Sequence, residues 1–231
     1  TAAVGARLDQ LRAGLQEDDR GVVAPPADLA ALDQEIARLQ AGVLAARGLP
    51  AIRVGRTKSF ALSPVLLRWR VSGVYGPFTG EPNIVLPAAP GLLPFVIAHE
   101  RAHLAGIARE DEASYVALAT LWASEDPRLR YSAWLELWLH LRPTIRGRNP
   151  GVARDLRALA EFSRRHAGWE RPLVSGAYDA YLRSHGVKEG RRSYGRVADL
   201  ALRHLETYGI PDLPRSLRDP AARADRKRHW P

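Results

Sequence analysis

The sequence of 231 residues contains neither cysteine nor methionine. Without cysteine, disulfide staples and thiolate ligands are excluded, so any bound metal must be held by His, Asp or Glu. The redox compartment stays open on the same ground. Methionine is missing even from position 1, as expected of a trimmed fragment or a processed product. No apolar run approaches the roughly 20 residues that cross a bilayer, and no signal-peptide pattern opens the chain. A membrane anchor in an earlier segment is compatible with both observations. The net charge of +9 attracts anionic surfaces. Lacking a recognition motif or an interleaved basic–aromatic stripe, it reads as a solvated, Arg-rich surface and not as a specific nucleic-acid interface. An apolar content of 46% suffices at this length to bury a sizeable core.

What is present is mainly helical periodicity. Val4, Leu8, Leu11 and Leu15 predict a helix from Ala3 to Gln16. Asp28 is placed to cap a second, running to Ala46 with Leu29, Leu32, Ile36, Leu39 and Val43 on one face. These two form a hairpin or extension over residues 1–50. Between 51 and 89 the pattern changes: 51–55, 66–74 and 83–86 read as short strands punctuated by Gly and Pro. Helices are expected again at 91–105, 109–124, 128–141, 150–167, 173–185 and 193–208, with glycines at or beyond several ends. Trp122, Trp134 and Trp138 read as core. His140, His166 and His204 lack ligand-spaced partners and read as surface or capping residues. From Pro211 the chain becomes an irregular basic tail, and its arginines suit anionic lipid if the domain sits at a membrane.

Chemistry concentrates in His99-Glu100-Arg101-Ala102-His103. Histidines four apart project from one helix face and can converge on one ion, while the Glu beside the first can act as general base. The flanking Phe95, Val96, Ile97, Ala98 and Leu104 bury this helix, and burying two His and a Glu without a metal or partners is costly. A hydrolytic zinc site takes three protein ligands and leaves one position open. Gly106 allows a sharp turn that returns the next helix start toward the histidines. Glu110 is the preferred third ligand, because zinc peptidases with a Glu ligand often continue it as E-x-x-A-[DN]; Glu112 is the alternative. The 83–86 run is either a peptide-accepting edge or an ordinary core strand. Tyr75, Tyr178, Tyr194 and His185 are candidates to stabilise an oxyanion.

Three stretches carry a family resemblance: GVYGPFTGEPNIVLP from Gly73, FVIAHERAHLAGIAREDEASYVAL, and YDAYLRSHGVKEGRRSYGRVADLAL. Over about residues 57–205 the sequence resembles the DUF3810 family, uncharacterised bacterial HExxH proteins usually set behind N-terminal membrane spans. The resemblance implies a gluzincin-like, membrane-associated metalloprotease, with His99, Glu100 and His103 as the HExxH residues and Glu110 or Glu112 in the acidic block. The expected fold is mostly α (α+β) and zincin-like, its HExxH helix packed on a small β element. The domain would span 51–210, with the tail at 211–231. The expected function is zinc-dependent peptide hydrolysis of a peptide or protein substrate, with an anionic membrane surface as a possible partner. The alternative is a catalytically weak zinc-binding sensor or interaction domain.

Overall fold

The computed structural model describes residues 2–49, 58–59, 73–76, 81–84, 89–141, 148–165 and 196–212. Among these are seven helices: α1 (Ala2–Arg12), α2 (Leu29–Ala45), α3 (Leu93–Leu104), α4 (Glu110–Trp122), α5 (Pro127–Leu141), α6 (Pro150–Arg165) and α7 (Arg196–Tyr208). Each lies within about four residues of a helix expected from periodicity. The stretch 173–185 falls outside the described residues, as do the tail from 213 and the strand-like run 51–55. Asp28 caps α2 as its sequence position requires, its carboxylate accepting from the amides of Ala30 and Ala31 at 2.8 and 3.1 Å.

The α+β, zincin-like architecture needs correction: this is a mostly helical fold. Strand pairing is confined to β1 (Lys58–Ser59), β2 (Gly73–Gly76) and β3 (Glu81–Ile84), of two, four and four residues. Strands this short form a patch and not a layer. Helix α3 packs against α2, α4 and α5 and also touches β3 and β2. Gly, Pro and β-branched residues between 51 and 89 give a strand-like pattern, but the pairing they achieve is too small to set the fold class. Within the patch β3 is the middle strand, parallel to β1 and antiparallel to β2. Asn83 and Ile84 are therefore paired on both sides, which removes the peptide-accepting alternative at those positions and leaves the ordinary strand.

The core is built around α5, whose Leu129, Tyr131, Ala133, Trp134, Leu135, Leu137 and Trp138 are all buried. A helix that buries residues on several sides must be surrounded, and α1, α3, α4 and α7 all touch it. Trp122 and Trp134 pack as tilted rings 5.2 Å apart, and with Trp138 they are core as expected. Val4, Leu8 and Leu11 of α1 and Leu32 and Ile36 of α2 join the same cluster. One buried carboxylate ties these elements together. Asp155 of α6 accepts from Nε of Arg12 at 2.6 Å, from the Tyr131 hydroxyl at 2.6 Å and from the Val23 amide at 2.9 Å.

A buried charge is tolerable only while its partners remain. Asp155→Ala should destabilise the fold by about 3–5 kcal/mol, and Tyr131→Phe by roughly 1–2 kcal/mol. Denaturant unfolding of both variants checks this; an Asp155→Ala midpoint equal to wild type would refute it.

Candidate metal centre

Helix α3 presents Phe95, Val96, Ile97, Ala98 and Ala102 to the core, so its charged residues lie in closed surroundings. Helix α2 holds it from one side. Nη1 of Arg101 donates to Oδ1 of Asp33 at 2.6 Å, and Nε2 of Gln40 donates to the Ala98 carbonyl at 2.9 Å. Helix α5 holds it at the start, where Ser132 Oγ accepts from the Phe95 amide at 3.0 Å. That amide is one of the donors a helix N-terminus leaves unpaired.

The helix ends in a turn that also builds the site. Gly106 has φ +87°, a conformation favouring glycine. Its amide donates to the His103 carbonyl at 2.9 Å, and the Ile107 amide reaches back to the Ala102 carbonyl at 3.1 Å. These two bonds are the Schellman pattern. The turn lays the Ile107 carbonyl against His103 Nδ1 at 2.7 Å and starts α4 at Glu110, beside the two histidines.

His99, His103 and Glu110 converge. Their Nε2 atoms stand 3.1 Å apart, and Oε2 of Glu110 lies 3.2 Å from His99 Nε2 and 3.6 Å from His103 Nε2. A tetrahedral ion bonded at about 2.0–2.1 Å separates its ligand atoms by about 3.4 Å. These three residues could therefore hold a metal ion. The tautomers agree. A carbonyl can only accept, so His103 Nδ1 carries the hydrogen, and neutral His103 turns a bare Nε2 to the centre. Ser114 Oγ, 3.2 Å from His99 Nδ1, can take a hydrogen there and leave His99 the same way. Two imidazole nitrogens and a carboxylate oxygen facing one another repel unless a proton or a metal cation lies among them.

Glu112 does not share this place. It is 56% exposed and pairs with Nε of Arg109 at 3.1 Å. Residues two apart lie on nearly opposite faces of a helix, so only Glu110 faces the histidines. Arg101 and Arg109 are engaged by Asp33 and by Asp111 and Glu112, so neither is a local partner absorbing Glu100. Glu100 is 5% exposed and has no hydrogen-bond partner among the described residues. Burial, aided by the Glu110 charge, pushes its carboxyl up to about 7. Burial depresses His99. For His103 burial acts downward, but the hydrogen bond and charge of Glu110, the Glu100 charge and the Ile107 carbonyl together outweigh this and the net shift is upward. Burial would raise Glu110, yet the two imidazoles hold it well below the ordinary carboxylate range.

A family model matches residues 1–202. The chain belongs to the DUF3810 family. The family is described as proteins of unknown function, and its match to this chain takes in α1 and α2 as well as the centre. No curated protein and no solved structure matches the chain. Of the expected oxyanion candidates in this DUF3810 chain, Tyr178, Tyr194 and His185 lie outside the described residues, and Tyr75 is placed only within β2. The supporting Asp33, Gln40, Ser132 and Ser114 were missed from sequence. Only Ser114 left a signal, closing the E-x-x-A-S run from Glu110.

The protein should bind about one divalent ion per chain. His103→Ala and Glu110→Ala should each lose it, whereas Glu112→Ala should keep it. Elemental analysis after gel filtration reads this directly, and equal metal in wild type and His103→Ala would remove the site.

Proposed function

We propose that this protein is a zinc-dependent metallopeptidase whose ligands are His99, His103 and Glu110 and whose general base is Glu100. The observation that carries the reading is the composition of the centre. Among the described residues three ligand atoms converge, and an acid that is not one of them stands next to the first. Structural zinc sites use four protein ligands and need no base. A zinc ion held here would bring the pKa of a water toward neutrality and polarise a substrate carbonyl.

The chain's own residues do the rest. Ile107 and Ser114 fix the imidazole rings so that Nε2 of each faces the centre. Asp33 and Gln40 hold the helix on which those rings stand. A carboxylate oxygen of Glu100 takes a proton from the attacking water and passes it to the departing amine nitrogen. The apolar flanks of α3 keep bulk water from competing for that proton. Glu100→Gln should keep the metal and lower peptide cleavage by a factor of 100 or more. Digestion of a peptide library, with metal content measured alongside, tests it; cleavage at the wild-type rate by the variant would exclude Glu100 as the base.

The reading extends to a membrane setting, on the family resemblance and the net charge of +9. None of the described helices is long and apolar enough to cross a membrane; the net charge suits contact with an anionic surface. The chain should sediment with phosphatidylserine vesicles in low salt and release as salt rises. Equal sedimentation with neutral phosphatidylcholine vesicles would count against it.

A further inference from the structure

Helix α7 packs against α4, the helix that carries Glu110, and a polar contact joins the two. The Tyr115 hydroxyl lies 2.8 Å from Nδ1 of His204. Where Nδ1 is bare the hydroxyl donates to it, and where Nδ1 carries a hydrogen the hydroxyl accepts. The bond therefore holds in either form of the ring. His204 reads from the sequence as a surface or capping residue, yet three aromatic rings lie against it. Tyr208 stands at 4.8 Å, Trp122 at 5.5 Å and Tyr115 at 5.8 Å between ring centres. Trp122 is buried and packs on Trp134 of α5, so the imidazole rests against the core.

Tyr115 follows directly on Ser114, whose hydroxyl meets His99 Nδ1 at 3.2 Å. Glu110 and Ser114, four apart, share the face of α4 turned to the histidines. Tyr115 projects about 100° further round the same helix, where His204 meets it. The start of α4 has no other lock of this kind at its cap: Arg109 occupies the N-cap position without a side-chain capping bond. Packing against α2 and α5 fixes where α4 lies, but apolar burial is non-directional. A hydrogen bond depends on angle as well as distance. Side-chain tips stand about 5–6 Å from a helix axis, so a turn of about 10° would carry the Glu110 carboxylate by about 1 Å. A displacement of that size is enough to spoil a metal site.

We propose that His204 is a positioning residue for the metal centre. By holding the Tyr115 hydroxyl it sets the rotation of α4 about its own axis, and with it the places of Glu110 Oε2 and Ser114 Oγ relative to the two histidines. This rests on the zinc reading and names a support of that site. His204 touches neither the ion nor a substrate; it acts through Tyr115. It also lies beyond the family match, which ends at residue 202, so the support comes from a part of the chain which that match does not include.

The test titrates the full chain with Co2+ and reads the visible absorption of the bound ion, whose intensity reports the geometry of its ligands. Direct partners of metal ligands are worth about 10–100-fold in metal affinity, so a support one step further out should be worth about threefold to tenfold. Tyr115→Phe, which loses a single oxygen, and His204→Ala should each weaken cobalt binding by that factor and alter the absorption. His204→Asn, whose amide can stand where Nδ1 stood, should recover most of the loss. Leu156→Ala, in the core on α6, supplies the comparison: it should lower stability and leave cobalt affinity and absorption as in wild type. If His204→Ala fails to fold, Tyr115→Phe carries the test. Wild-type affinity and absorption in Tyr115→Phe would overturn the role of His204 and leave the metal centre standing. An equal loss in Leu156→Ala would overturn it too, by marking the effect as general loosening. Failure of wild type to take up cobalt overturns the metal reading itself.

Discussion

Three electron-rich atoms held against each other away from bulk water constrain everything around them. His99, His103 and Glu110 bring two imidazole nitrogens and a carboxylate oxygen within 3.1–3.6 Å of one another. Such an arrangement survives only if a positive charge lies among the atoms or if the surroundings are stiff enough to oppose their repulsion. The fold supplies stiffness from several directions. The Gly106 turn fixes one ring through the Ile107 carbonyl, Ser114 meets the other, and α2 fastens the helix backbone beneath both. The centre is thus a product of three helices and one turn, although its signature occupies five residues.

Much of this was legible in the sequence, for identifiable reasons. Helices announced themselves through apolar residues at three- and four-residue spacing and through terminal Gly and Asp28, signals local enough to survive any tertiary arrangement. The two histidines were legible because a four-residue spacing on a helix is itself a geometry. Glu110 over Glu112 was a preference that became a fact of direction once α4 was seen to begin at Glu110. The fold class was less legible. Residues 51–89 have the composition of strands, but strand extent depends on which partner lies alongside, and the described pairing stops after two to four residues. The middle position of β3 depends on the same non-local information.

The supporting residues were hidden for another reason. Asp33, Gln40 and Ser132 are ordinary polar residues until α2 and α5 are laid against α3. Identity of residue types gave the chemistry of the ligands, whereas the second layer of contacts required the packing.

The link from Arg12 to Asp155 spans 143 positions, and it bears on how the protein comes into being. Helix α1 is made before α6, and until α6 has left the ribosome its arginine has the half-exposed Glu17 as counter-charge but not the buried Asp155. Contacts so distant in sequence close late and slow folding. Until then α1 lacks the carboxylate against which that cation is buried, while α2, α3 and α4 already have one another. Helix α1 is therefore fixed after α2, α3 and α4 although it precedes them in the chain, and a nascent chain stalled before α6 would carry the metal ligands without a completed core.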